Sequence, residues 1–124
     1  MKQEIKILTP EETYQFSKHF SMQKFEQKFD FIYENQIPNV AIVIVSGLVQ
    51  LISKKKVKAE IRPDTLLGAY NLLYNKEVRY GWRVIEGTEL LILEKSDLLS
   101  YLEQQNSFLV QLFGIKFSQS LQKS

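Results

Sequence analysis

The sequence contains no cysteine and only one histidine, His19. Without thiols the protein can form neither disulfides nor thiolate metal sites, and a single imidazole cannot build a histidine-rich metal cage. We therefore expect no bound metal and no cofactor, and the lack of cysteine fits a reducing compartment. His19 lies between Lys18 and Phe20, and we interpret it as a surface or partly packed side chain.

Strong net charge and long apolar runs are absent too. The 16 basic and 14 acidic residues leave a formal net charge of +2, so the balance alone indicates neither nucleic-acid nor membrane binding. No apolar run approaches the roughly 20 residues that a membrane-spanning helix needs. Residues 1–16 mix acids with lysines and lack the apolar centre of a signal peptide. At 124 residues and 44% hydrophobic content, we expect one cytoplasmic domain, 1–124, with an ordinary core.

Short strand patterns separated by turns dominate the middle of the chain. They are rich in alternating or β-branched apolar residues and cover 29–33, 40–45, 48–52, 57–61, 78–85 and 88–93. Gly47 interrupts one apolar run, which indicates a bulge or a tight bend. In all we expect about seven or eight strands, a number that favours a mainly β fold with flanking helices, namely a β-roll or jelly roll (a double-stranded β-helix) spanning 31–95.

Helix signals stand at both ends of this β region. Thr9 as N-cap, Pro10 at the first helical position and Glu12 three residues after the cap predict a helix start, and we assign 9–30 to a helical lead-in. Ser96 and Asp97 predict the cap of C-terminal helices over 97–121.

The roles of two segments, the lysine triplet and the C-terminal stretch, each have two interpretations. The lysine triplet 54–56 is either a solvated hairpin turn or an anion-binding patch. The C-terminal stretch is unusually apolar, so its side chains either pack on the roll or form a helix–helix seam in a homodimer. The candidate interaction residues are Leu109, Leu112, Phe113 and Phe117.

Four segments in order resemble one family, the cyclic-nucleotide-binding domains. They are residues 31–35, 42–49, 66–68 and 89–98. The resemblance covers about 9–121 and implies a β-roll with a short helix in its middle and a C-terminal helix that moves or dimerises. In the transcription activators of this family a helix-turn-helix domain follows that helix. The sequence ends at Ser124, so we expect no nucleic-acid partner.

The family's phosphate-binding cassette resembles residues 68–81 only in part. Its pattern is roughly Gly-Glu-x-Ala-Leu-Leu, a short loop, then Pro-Arg-Ala-Ala-Thr, in which the Glu holds the ribose and the Arg pairs with the phosphate. Gly68 matches the glycine, but Ala69 stands at the Glu and, without gaps, Val78 stands at the Arg. The resemblance therefore implies a site without its two charged ligand residues, and losing each such partner costs about 2–5 kcal/mol.

The sequence supports two functional hypotheses and disfavours an enzyme. The first is a degenerate, non-catalytic signalling module that acts through a protein partner and binds cyclic nucleotide weakly or not at all. The second is a small-molecule sensor that binds a cyclic nucleotide or another nucleotide through Arg79 or Arg83, where Arg79 reaches the site through a bulge or shift in the loop. The ligand-binding residues would then be Gly68, Ala69, Tyr70, Arg79, Tyr80 and Arg83. Tyr70, Tyr74, Tyr80 and Trp82 either fill the pocket or stack on a base.

Overall fold

The computed structural model describes residues 4–104. In this part of the chain nine strands and three helices follow one another. They are β1 (Ile5–Ile7), α1 (Pro10–Ser17), β2 (Ser21–Lys24), β3 (Phe29–Ile32), β4 (Val40–Ser46), β5 (Val49–Ser53), β6 (Lys56–Ile61), β7 (Thr65–Leu67), α2 (Ala69–Tyr74), β8 (Gly81–Val84), β9 (Glu89–Glu94) and α3 (Lys95–Gln104).

The strands form two antiparallel sheets. The first has the order β1-β7-β4-β9-β2 and the second has the order β3-β8-β5-β6. The expected hairpin across the lysine triplet is present, because β5 pairs with β6 and Ser53 lies opposite Lys56. The expectation of a mainly β roll with flanking helices is confirmed.

The position of strand β4 between two core clusters explains why its sequence is continuously apolar. Ala41 and Val43 face a core cluster shared with the three helices, whereas Ile42 and Ile44 face a second cluster that includes side chains of the other sheet. All four are fully buried, so the strand is covered on both faces. Each fully buried branched side chain contributes roughly 1.5–3 kcal/mol relative to exposure.

Helix α1 begins as the sequence predicts. The backbone N–H of Glu12 donates to the hydroxyl of Thr9 over 3.1 Å, and the N–H of Thr9 donates to the Glu12 carboxylate over 2.8 Å. This reciprocal capping box satisfies N–H groups that the first turn leaves without an intrahelical partner. The helix is short, however, because it ends at Ser17.

The prediction of a helical lead-in over 9–30 is therefore wrong beyond α1. Its second part contains strand β2, which pairs with β9, and a further strand, β1, precedes the helix and pairs with β7. All four residues of β2 are exposed, so the strand has no alternation of apolar and polar residues by which the sequence could predict it. Their position depends on pairing with a distant strand rather than on local pattern.

Two other boundaries differ from the sequence prediction. Strand β8 begins at Gly81 rather than at residue 78, because Val78 instead pairs with the turn after β3. Its N–H donates to the carbonyl of Gln36 over 2.8 Å, and its carbonyl accepts the N–H of Asn35 over 2.9 Å. Helix α3 begins at Lys95, two residues before Asp97.

The bend predicted at Gly47 is confirmed. Gly47 has a φ of +95°, and the register of β4 against β9 shifts between Ile44 and Ser46. The buried hydroxyl of Thr88 closes the bend by donating to the Leu48 carbonyl and accepting the Leu48 N–H, each over 3.0 Å.

The rest of the predicted C-terminal helices lies outside residues 4–104. The candidate interaction residues Leu109, Leu112, Phe113 and Phe117 belong to that part. Within the described range, none of the helices combines the length and hydropathy that a membrane span requires.

Candidate functional site

The candidate site is centred on the turn that joins β7 to α2. Gly68 precedes the helix with a φ of +84°, in the left-handed region that favours glycine. Its neighbour Ala69 is buried, with 3% of its surface exposed. A methyl group therefore occupies the position at which the family pattern places a carboxylate.

Trp82 packs directly against Gly68. A Cβ atom added to this glycine would lie 2.2 Å from Cη2 and 2.5 Å from Cζ2 of the indole, so no larger residue fits beside the ring. Trp82 is 1% exposed and stacks on Phe31 with ring centroids 6.0 Å apart. The space beside Gly68 is thus filled by the indole, and pocket filling is the interpretation that the structure supports for this aromatic residue.

The tyrosines of the predicted cluster lie in two places, on α2 and in the loop before β8. Tyr70 and Tyr74 lie one turn apart on α2 and pair with each other, with ring centroids 4.9 Å apart. Tyr80 is half-buried and packs against the cluster that contains Trp82. The four aromatic residues therefore do not form one stacking surface.

Arg79 lies in the loop between α2 and β8. Its side chain is exposed, and its guanidinium carbon lies 5.9 Å from the centroid of the Tyr80 ring. No salt bridge joins this guanidinium to a carboxylate within residues 4–104. Its backbone N–H, in contrast, donates to Oε2 of Glu4 over 2.9 Å. The Arg79 guanidinium thus makes no salt bridge within residues 4–104, whereas its backbone N–H already donates a hydrogen bond.

Arg83 has a different setting. Along β8, Trp82 and Val84 face the core between the sheets, so Gly81 and Arg83 face the opposite side of the sheet. There the Nε of Arg83 donates to Oδ1 of Asp30 over 2.8 Å. This partly exposed ion pair neutralises Arg83 and places it on the other side of the sheet from the Gly68–Trp82 contact.

A groove of about 410 Å³ is lined by Asp30 and Arg83 of this outer side and also by Trp82. Ile32, Ile52 and Tyr33 supply apolar walls, and Lys54 and Lys55 stand at its edge. Tyr33 is 62% exposed. The groove therefore combines apolar surface with lysines from the hairpin tip.

The hairpin tip is held by Glu34. Its carboxylate accepts the backbone N–H of Lys54 over 2.7 Å and the hydroxyl of Ser53 over 2.9 Å. The hydrogen bond from the Lys54 backbone, followed by that from Ser53, holds the pKa of Glu34 below its ordinary value of 4.5. The lysine turn is consequently an ordered structure rather than a loose tip.

Sequence reasoning missed Glu4. This residue is 8% exposed, and its partner Arg79 lies 75 residues away. No local signal could have identified it, since an acidic residue in a charged N-terminal segment normally faces solvent. Within residues 4–104, no group of three or more His, Asp or Glu side chains could hold a metal ion.

No family model matches the chain, and no curated protein matches it. Solved structures do. One comes from work on a cyclic-GMP-dependent signalling pathway that regulates bacterial phytopathogenesis. It matches with a TM-score of 0.75 and 16% identity, over 86% of this chain and 88% of its own.

Two further structures match over most of this chain. The Thermus thermophilus catabolite activator protein gives a TM-score of 0.64 and 25% identity, over 79% of this chain and 48% of its own. PKAR CBD2 with bound Sp-2Cl-cAMPS gives 0.63 and 14%, over 84% of this chain and 71% of its own. The chain thus has the β-roll fold of the cyclic-nucleotide-binding domains, as the resemblance of its four sequence segments implied.

Proposed function

We propose that this protein is a non-catalytic regulatory module of cyclic-nucleotide-binding-like fold that acts through a protein partner and binds cyclic nucleotide weakly or not at all. One observation carries the proposal. The Trp82 ring packs against Gly68 so closely that a Cβ there would lie 2.2 Å from the indole. A phosphate approaching the backbone at this turn would meet an aromatic ring that is already fully packed.

The charges around the turn support the same conclusion. A cyclic phosphate in a desolvated site needs a fixed cation and oriented donors. Ala69 supplies no charge, and Arg83 is neutralised by Asp30 on the far side of the sheet. The amide of Arg79 already donates to a carboxylate. Of the groups that such a ligand requires, the carboxylate at position 69 is absent, Arg83 is paired elsewhere, and the Arg79 amide is engaged; only the Arg79 guanidinium has no salt bridge within residues 4–104.

A regulatory role without catalysis fits the chemistry of the one histidine. His19 is the only imidazole in the chain, and its ring lies 4.8 Å from that of Tyr101. It lies just after the end of α1, at Ser17, and is exposed to solvent beside that ring. A catalytic imidazole is normally oriented by a hydrogen bond to a third group, and within residues 4–104 the His19 ring makes none.

The proposed mode of action is contact with another protein. Tyr33 and Val57 expose 62% and 48% of their surfaces beside the ordered lysine turn, and exposed apolar groups rimmed by polar ones are typical of interaction sites. A homodimer through the C-terminal segment, with Leu109, Leu112, Phe113 and Phe117 in its seam, belongs to the same proposal.

Isothermal titration with cyclic AMP and cyclic GMP tests the nucleotide part. We expect no saturable heat at micromolar ligand, and micromolar binding of either nucleotide contradicts it. A pull-down from the native cell followed by light scattering tests the protein part, since we expect a captured partner or a mass of two chains. A monomer that captures nothing contradicts it.

A second function has one observation in its favour. The guanidinium of Arg79 is exposed and free of salt bridges to residues 4–104, beside the Tyr80 ring. It could anchor an anionic small molecule, which makes the protein a sensor. If a nucleotide binds, Arg79→Ala should weaken it at least tenfold, about 1.4 kcal/mol, whereas the exposed Arg62→Ala should not. Equal affinities rule out this anchor.

A further inference from the structure

Glu4 connects the N-terminal strand to both ends of the α2 region. Its backbone carbonyl accepts the N–H of Gly68 over 2.8 Å, immediately before the helix. Its Oε2 accepts the N–H of Arg79 over 2.9 Å, in the loop after the helix. With 8% of its surface exposed, it is a buried carboxylate. One residue thus spans the whole segment 68–79.

The contact at Arg79 has the chemistry of anion recognition. A backbone N–H aimed at a buried oxyanion is a donor that phosphate sites use repeatedly. Here the oxyanion is a side chain of the same protein. The guanidinium of Arg79 makes no salt bridge to residues 4–104. A positive charge is therefore available to a ligand beside an N–H that is already hydrogen-bonded to the Glu4 carboxylate.

We propose that Glu4 is a tethered competitor, which occupies the place at the Arg79 amide that the oxyanion of a phosphate ester would take. This inference rests on the proposed function, because it gives one cause for weak nucleotide binding. Displacement of Glu4 frees the amide and removes a negative charge that repels an incoming phosphate. The Arg79 guanidinium then has an anionic partner.

Strand β1 is suited to such displacement. It has three residues, it stands at the edge of its sheet, and it pairs only with β7 within residues 4–104. Ile7 is 71% exposed, so the main apolar contact of the strand is that of the half-buried Ile5 with the second core cluster. Leu8 follows with 4% exposure, and it tethers the segment when the strand opens.

Titration calorimetry on two variants tests the inference. Glu4→Ala removes the carboxylate, and with it both the negative charge and the side-chain acceptor of the Arg79 N–H. Glu4→Gln removes only the charge. We expect Glu4→Ala to bind cyclic AMP at least tenfold more tightly than wild type, about 1.4 kcal/mol, and Glu4→Gln to show a smaller gain. Inorganic phosphate, as a second probe, should follow the same order. The exposed Glu26→Ala is the matched control and should equal wild type.

The outcomes separate the two proposals. If both Glu4 variants fold, as thermal melting will show, and neither binds cyclic AMP or phosphate more tightly than wild type, the competitor role is wrong. If Glu4→Ala does not fold, Glu4→Gln decides, since its amide oxygen can still accept the Arg79 N–H. Micromolar binding by the wild-type protein contradicts the proposed function, whatever the variants do.

Discussion

Replacing Gly68 with alanine tests the packing of Trp82 against the turn. Gly68 has a φ of +84°, and the new Cβ would lie 2.2 Å from Cη2 of the indole. Neither atom can remain in place, because real carbon contacts do not come so close. The ring is 1% exposed and stacked on Phe31, so moving it also disturbs that aromatic contact.

The cost has two parts. An L-residue in the left-handed region costs about 1–2 kcal/mol, and forcing an extra carbon into a packed core costs about 1–3 kcal/mol. Together they predict a loss of about 2–5 kcal/mol from a total stability of roughly 5–15 kcal/mol.

Urea unfolding followed by fluorescence measures this loss, because Trp82 is the only tryptophan. Gly87→Ala is the matched control: Gly87 has a φ of +86°, but nothing lies within 4 Å of its added Cβ. The control should therefore lose only the backbone part, about 1–2 kcal/mol. If Gly68→Ala loses no more than Gly87→Ala, the tight Trp82 contact is refuted.

Three smaller effects follow from single contacts. Thr9→Ala should lower the free energy of unfolding by about 1 kcal/mol, because it removes the cap of α1; an unchanged urea midpoint contradicts the cap. Arg83→Gln should cost only about 0.2–1 kcal/mol, less at high salt, since its ion pair is partly exposed; a larger, salt-independent loss contradicts this. Glu34 has a lowered pKa, so its stabilisation is complete above pH 4.5 and is lost as the pH falls through its folded pKa. Glu34→Gln should therefore reduce the loss of stability on acidification, and an unchanged loss contradicts the stabilising role of the Glu34 carboxylate.

Much of the fold could be predicted where local chemistry decides it. The capping residues Thr9 and Glu12, the β-branched run of β4 and the bend at Gly47 each carry their own signal. The edge strands β1 and β2 do not, because β2 is wholly exposed and β1 has only three residues. Pairing with distant strands determines both, and no window of sequence contains that information.

The candidate site was less predictable than the fold. The resemblance to the family's cassette located Gly68 and Ala69, whereas Trp82 entered only as one of four aromatic residues that either fill the pocket or stack on a base. The strand predicted over 78–85 places Arg79 and Arg83 on one face by alternation. In the structure β8 begins at Gly81, so that alternation does not extend back to Arg79. The Glu4 contact joins residues 75 positions apart and depends on the completed fold.

The central claim is that the turn at Gly68 does not accept a cyclic nucleotide. The most direct measurement is a ¹⁵N–¹H spectrum of the protein titrated with cyclic AMP and then cyclic GMP, following the indole N–H of Trp82 and the backbone amide of Arg79. We expect neither resonance to move saturably at micromolar ligand. A saturable shift of both, with a micromolar Kd, would contradict it.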